Sequence, residues 1–471
     1  MLNSSSIPKG AQLIINAFLK FYITIANAIA SVSSRMPAGM RTALLYLSSF
    51  VILWNGTLRF CNIYIREALF YYDTSAIVGI VMIAIFTFFS VDRKVETEQL
   101  EINRFFWTGW ILCFGMMLIM SFFNEVREEY LLWGVVSLLF FPLIYVSHEY
   151  NSERICSILA QNTELIALVF FISSIIVDAM MTEDDLLLFE EYTGIASNPN
   201  NNGMVCTAFF GAAFYMLFTD RKRRFTHLIV IGISAALSVV SLSRTSVLAI
   251  LIQCVVGLWF YLKWKKKSNF CRFTSKNAIA CVLIVLVVAV ASGMLFKASD
   301  DFSLAVHAES AKVEIQETKS TGVYDWLNYY SSRRMDVWSA YLKETRFFGN
   351  GSPKELLIEG YDASRWAHNN ALDILYASGV IPFAGYVMFL LSGLVFILKS
   401  LCKERDNKRE VLFCIIMFAG YFCQVMLEIT ITPISAGIVF LTYAGLAPMA
   451  MSGRKRKGER PIHSSIADHL S

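Results

Sequence analysis

Charged side chains are scarce. Only 17% of the 471 residues are Asp, Glu, Lys or Arg, while 56% are hydrophobic and 14% aromatic. Ordinary globular chains run at about 25% charged and roughly 45–50% apolar. At a mean hydropathy of +0.53, the apolar surplus exceeds what one water-facing core can hold. A soluble enzyme, a disordered scaffold and a secreted disulfide module are thereby excluded. Histidine is rarer still, at six residues, and none of the ten Cys falls in residues 297–370. No Cys spacing of metal-site type occurs. A Gly-x-x-x-x-Gly-Lys-Ser/Thr phosphate loop is also missing. No repeat of the whole chain is visible, which argues against a transporter built from inverted halves. No signal peptide is expected, because the first apolar stretch has no small-residue cleavage site behind a basic start.

What remains is an all-α polytopic membrane protein. A helix needs about 20 mostly apolar residues to cross the hydrocarbon layer. Twelve stretches qualify, at 43–60, 75–91, 105–123, 130–147, 161–181, 203–218, 226–241, 244–262, 279–296, 371–398, 411–428 and 431–450. Ser241-Leu242-Ser243-Arg244 supplies the break within 226–262, since an Arg is disfavoured at the bilayer centre. In residues 11–32 the polar positions Gln12, Asn16, Lys20, Thr24, Asn27 and Ser31 recur three or four apart, which predicts an amphipathic helix lying in the interface.

Orientation follows from Lys and Arg. With the C-terminus inside, the cytoplasmic connections and tail hold 26 of the 41 basic residues, and the short external connections hold only Arg59, Arg66, Arg127 and Arg244. The basic runs at 221–224, 265–267 and 454–457 are topology anchors, not nucleic-acid sites. The expected organisation is a cytoplasmic N-terminus with its interfacial helix (1–42), crossings one to nine (43–296), a large external, partly helical catalytic loop (297–370), crossings ten to twelve (371–450) and a basic cytoplasmic tail (451–471).

Three external features carry chemistry. Arg244, in Ser243-Arg244-Thr245-Ser246, offers a planar fork of donors suited to phosphate; the bland alternative is a snorkelling Arg. Ser331-Ser332-Arg333-Arg334-Met335-Asp336-Val337-Trp338 predicts a capped amphipathic helix with Met335, Trp338 and Leu342 on its apolar face. Arg334 and Trp338 share a face, so a cation stands beside an aromatic plate, fit for a diphosphate next to a sugar. The alternative is a helix resting on lipid headgroups. His368, followed by Asn369 and Asn370, is the one His at the start of a span flanked by amides. Its neutral ring could take a proton from a sugar hydroxyl; a structural interfacial His is the alternative. Glu183-Asp184-Asp185 is an acidic run that could hold a hard cation, but no second ligand cluster accompanies it. Two arginines and a histidine on one membrane face suit a reaction with a lipid diphosphate leaving group and a hydroxyl nucleophile.

Ser243-Arg244, Arg334-x-x-x-Trp338 and His368-Asn369-x9-Gly379 resemble, in order and spacing, the O-antigen ligase/polymerase superfamily of Wzy polymerases and WaaL ligases, over roughly 190–400. Asn198-Pro199-Asn200-Asn201-Asn202-Gly203 resembles a family turn, and also reads simply as a turn that starts a helix. The resemblance implies an inverting membrane glycosyltransferase that needs no metal or other cofactor. It implies as donor a glycan on undecaprenyl diphosphate, and as acceptor a second glycan or lipid A–core. The place of action would be the outer face of the bacterial cytoplasmic membrane, with a chain-length regulator as a possible partner; twelve crossings would leave both termini cytoplasmic. Carried over, Arg244 and Arg334 would bind the diphosphate and His368 would activate the acceptor hydroxyl. Arg333, Trp338, Arg365, Asn369 and Asn370 would line the substrate site, and Arg333 could stand in for Arg334. Pro382 departs from the small residue or Gly often found after the Gly379 turn. A transporter of lipid-linked sugars is the competing class, and would call for ionisable residues buried mid-span.

Overall fold

The computed structural model describes residues 9–68, 75–95, 101–124, 128–180, 193–265, 334–351, 366–403, 407–428, 432–434 and 436–453, with 270, 290 and 356. The chain is all-α, as lipid requires of a backbone that must satisfy its own polar groups. In order come α1 (Lys9–Ser33), α2 (Ala38–Leu58), α3 (Ser75–Ser90), α4 (Arg104–Phe123), α5 (Glu128–Val146), α6 (His148–Met180), α7 (Pro199–Thr219), α8 (Arg224–Val240) and α9 (Arg244–Trp264). Then follow α10 (Arg334–Glu344), α11 (Asn370–Ser378), α12 (Val380–Cys402), α13 (Lys408–Leu427) and α14 (Gly437–Ala444). Among the described residues eight helices are long and apolar enough to cross a membrane: α1, α4, α5, α6, α7, α9, α12 and α13. The shorter α3 and α8 are apolar too. The expected crossing 279–296 lies outside the described residues except for Val290. The short pairing of Glu101–Ile102 with Met451–Gly453 and the isolated bridge between Cys61 and Ala196 are too small to alter the class.

Helix α7 is the axis of the bundle, buried along almost its whole length and packed by α6, α8, α9 and α13. The abundant aromatics fill a second core, where the Trp110 ring meets Phe106, Phe114, Tyr145, Phe389 and Tyr443. Its indole N–H donates to the Ser137 carbonyl at 3.1 Å, as a buried Trp requires.

Several local expectations change. Residues 11–32 do form one helix, but its polar stripe is not all turned outward. Asn27 donates to the Val95 carbonyl and accepts from the Val95 N–H, at 3.2 and 2.6 Å, while Ile15, Leu19, Tyr22, Ala26 and Ala30 pack inward. The stretch 371–398 is two helices, parted at Gly379 with φ +91°, a conformation open to a residue without Cβ. Pro382 then falls in the first turn of α12, where a missing N–H breaks no helical bond. The break at Ser241-Leu242-Ser243-Arg244 is present, with Leu242 at φ +51°. The spans also hold buried charge. Glu164 is buried against His227, Oε1 to Nδ1 2.5 Å, with Asp220 3.7 Å from the other ring nitrogen. A buried carboxylate needs such a partner, and this pair sits by the first turn of α8, beside the basic run 221–224.

Candidate active site

The site is built at the C-terminal end of α13, where three parts of the chain meet. The first is the junction of α7 and α9. Asn198 caps α7 by accepting from the Asn201 N–H at 2.8 Å, with Pro199 at the first helical position. The turn thus starts a helix, and it also docks. A Cβ on Gly203 would lie 2.3 Å from Ser246 Oγ and 2.7 Å from Ser243 Oγ, so only glycine admits this approach. Ser243 and Ser246 share a hydrogen bond of 2.9 Å, and between them Arg244 opens α9, exposed. Gln424 of α13 donates to Thr207 Oγ1 at 2.9 Å and to Ser246 Oγ at 3.2 Å.

One turn beyond Gln424, Glu428 gathers the other two parts. Its Oε1 is 3.0 Å from Nη2 of Arg334 in α10, and the Leu427 carbonyl accepts from Nη1 of the same guanidinium. Its Oε2 is 3.2 Å from Nδ1 of His368. Side-chain exposure grades from 5% at Glu428 to 19% at Arg334 and 39% at His368. The carboxylate is the floor of the site, and the imidazole is its accessible group.

His368 is clamped from both sides. Trp338 Nε1 donates to the Ala367 carbonyl at 2.8 Å, and Asn369 Nδ2 donates to the Met426 carbonyl at 3.0 Å. The Asn369 Oδ1 accepts from the Ala371 and Leu372 N–H groups, capping α11. Between these locks His368 has φ +47°, a left-handed backbone that costs a residue with a Cβ on the order of 1–3 kcal/mol and persists where its surroundings impose it. Helix α10 in turn packs on α11 through Tyr341 and Tyr376, ring centroids 5.2 Å apart. Past α10 the chain is fastened to the α11–α12 break by Asn350 N–H to the Tyr376 carbonyl, 2.7 Å, and Val380 N–H to the Phe347 carbonyl, 3.0 Å. Gly349 and Gly379 face each other there, both at positive φ.

The apolar face expected for α10 is shifted. Val337 and Tyr341 are buried, while Leu342 is 55% exposed; the aromatic residue anchors the helix because it has a ring to meet edge-on. Trp338 and Asn369 hold the His368 segment through the polar groups that a sugar would otherwise meet. Asn370 is buried beside the Tyr386 hydroxyl. Arg333, Arg365, His307, Ser331, Ser332 and Glu183-Asp184-Asp185 lie outside the described residues. Among the described residues no three His, Cys, Asp or Glu side chains are grouped to hold a metal. Sequence reasoning missed Gln424 and the bridging place of Glu428. A signal for the latter was available, because Glu428 is the sole charged residue in 411–450.

Arg244 opens a helix behind the N-cap Ser243. A cation at a helix N-terminus opposes the macrodipole by roughly 0.3–1 kcal/mol, so helix stability does not account for Arg244. Backbone N–H groups and guanidinium together make a setting for an anion.

Residues 228–390 match the family model Wzy_C, described as O-antigen ligase. No curated protein and no solved structure matches the chain. The matched stretch contains Arg244, Arg334, His368 and Gly379; Gln424, Glu428 and the 198–203 turn lie beyond it. The chain is thus a multi-pass helical membrane protein whose segment 228–390 matches the model of the O-antigen ligase family, in keeping with the ligase/polymerase superfamily its motifs resemble, and this match supports a polymerase or ligase role in O-antigen assembly.

Proposed function

We propose that this chain transfers a glycan from undecaprenyl diphosphate to a sugar hydroxyl at the outer face of the bacterial cytoplasmic membrane, as a polysaccharide polymerase. One observation carries the reading. Arg244, Arg334 and His368, separated by up to 124 positions in the sequence, belong to one end of one bundle, joined through Gln424 and Glu428 on a single helix. His368 takes the proton of the acceptor hydroxyl as its oxygen attacks the anomeric carbon. The bond from that carbon to the diphosphate oxygen breaks, with inversion, and undecaprenyl diphosphate leaves. Arg244 and Arg334 stabilise the charge that grows on the leaving oxygen, an interaction stronger in the transition state than before it. Cleavage of the lipid diphosphate drives the reaction, so no nucleotide is required.

The test is the glycan made by a host strain lacking the chain. Loss of a polymerase leaves single repeats on the surface. Loss of a ligase, the second reading, leaves long polymer on undecaprenyl diphosphate and unmodified lipid A–core. Accumulation of lipid-linked repeats at the cytoplasmic face would favour the transporter instead and overturn the proposal.

Orientation can be checked separately. Reporters fused after Trp326 or Glu355 are expected to read as external, and those after Lys266 or Lys408 as cytoplasmic, given the asymmetry of basic residues. Packing supports the same division. Lys263, at the far end of α9, donates to the carbonyls of Leu401 and Cys402 at the far end of α12, 2.7 and 3.1 Å, opposite the end that holds His368. A cytoplasmic reading at Trp326 would place the site on the wrong side for a donor presented outside.

A further inference from the structure

We propose that Glu428 is the positioning carboxylate of the transfer: it receives the Nδ1–H of His368, leaving Nε2 as the atom that takes the acceptor's proton, and it couples that ring to Arg334. The inference rests on the transferase reading and concerns a residue outside the family-matched stretch. The two carboxylate oxygens have different partners, Oε1 the Arg334 guanidinium at 3.0 Å and Oε2 the His368 ring at 3.2 Å. At 5% exposure the carboxylate has no face of its own for a substrate, so it acts through its neighbours.

The tautomer follows from the donor and acceptor inventory. An ionised carboxylate only accepts, so the ring nitrogen beside it carries the hydrogen. A neutral imidazole with hydrogen on Nδ1 has its lone pair on Nε2, where a general base needs it. Once Nε2 has gained the proton, the imidazolium stands against a buried negative charge, in surroundings that screen the attraction less than water does. Arg334 compensates the same carboxylate before reaction, which is how a charge can sit so deep. A purely structural Glu428 would do no more than tie α10 to the end of α13. The two roles differ in what removing the charge does to donor binding.

The experiment uses the full chain in lipid nanodiscs, as wild type, Glu428→Gln, Glu428→Asp and His368→Ala. Turnover is measured with lipid-linked glycan extracted from a host lacking the chain, and binding with undecaprenyl diphosphate alone. Gln keeps the size and can still accept from Arg334, but its amide N–H would face Nδ1 and favour hydrogen on Nε2, the unproductive tautomer. Turnover of Glu428→Gln is expected to fall by roughly 10²–10⁴-fold, the range for a lost general base. Affinity for undecaprenyl diphosphate should stay the same or rise, because Arg334 no longer faces a competing anion. Glu428→Asp should recover part of the turnover. Turnover and affinity falling together, or Glu428→Gln at wild-type turnover, overturns the proposal. His368→Ala separates the levels: full activity there removes the base itself, whereas an inactive His368→Ala beside an unimpaired Glu428→Gln removes only the role of Glu428. A readout that needs no folded Glu428 variant is the 15N spectrum of the imidazoles, with His368 assigned by its loss in His368→Ala. Hydrogen on Nδ1 is expected, and hydrogen on Nε2 overturns the proposal.

Discussion

His368→Ala should lower glycan transfer by roughly 10²–10⁴-fold, the usual contribution of a general base, with undecaprenyl diphosphate binding nearly intact. The structure makes this a test of chemistry and not of folding. Alanine keeps the β-carbon, so the backbone at φ +47° is no worse off than before. The clamps on either side, Trp338 to Ala367 and Asn369 to Met426, do not involve the imidazole. Glu428 keeps Arg334 as its partner. His307→Ala, which shares the expected face but no motif, serves as the control and should be close to neutral. Purified variants at equal membrane levels, assayed for transfer rate, decide the matter. If His368→Ala were fully active, the base would have to be sought among the carboxylates of the same face, Asp336 first.

Arg244→Ala and Arg334→Ala should each reduce turnover by roughly 10²–10³-fold, equivalent to about 3–4 kcal/mol of lost charge stabilisation in the transition state. Their effects on the protein itself should differ. Arg334→Ala leaves the buried Glu428 carboxylate without its cation, and breaking such a pair costs about 3–5 kcal/mol, so this variant should also accumulate poorly. Arg244 is exposed at the start of α9, and Arg244→Ala should reach the membrane at wild-type levels. Lys at either position should restore only part of the rate, since an ammonium has the charge without the planar two-point fork. Immunoblots of membranes and rates per mole of protein separate the two losses. Wild-type abundance for Arg334→Ala would mean that Glu428 is compensated by another group.

The helices and their breaks were legible because their causes are local. Apolar length marks a crossing, and Ser241-Leu242-Ser243-Arg244 cannot continue one. Gly379 also stood out, though the split it makes between α11 and α12 was hidden inside a continuous apolar run. The order Arg244, Arg334, His368 was readable as a motif, and the family match over 228–390 covers the same residues. What spacing could not show was the meeting of groups remote in sequence. Glu428 is 94 residues from Arg334 and 60 from His368, and no periodicity relates them. The buried face of α10 was missed for a related reason: Tyr341 is buried because Tyr376 of another helix receives it, whereas Leu342 only has the spacing of a core residue. Trp338 and Asn369 were noticed as substrate groups, yet their hydrogen-bonding atoms hold the backbone around His368.

That backbone sets two selective pressures against each other. On conformational grounds position 368 favours glycine, which reaches positive φ without strain. Where Gly adopts such a backbone, replacing it by a residue with a Cβ lowers stability; here the reverse replacement relieves the fold. A library of this chain selected only for resistance to heat would therefore enrich Gly at 368, in molecules that withstand heat and transfer nothing. If His368 is the base proposed above, it is maintained by what it does for the substrate, against what the chain would adopt for its own sake.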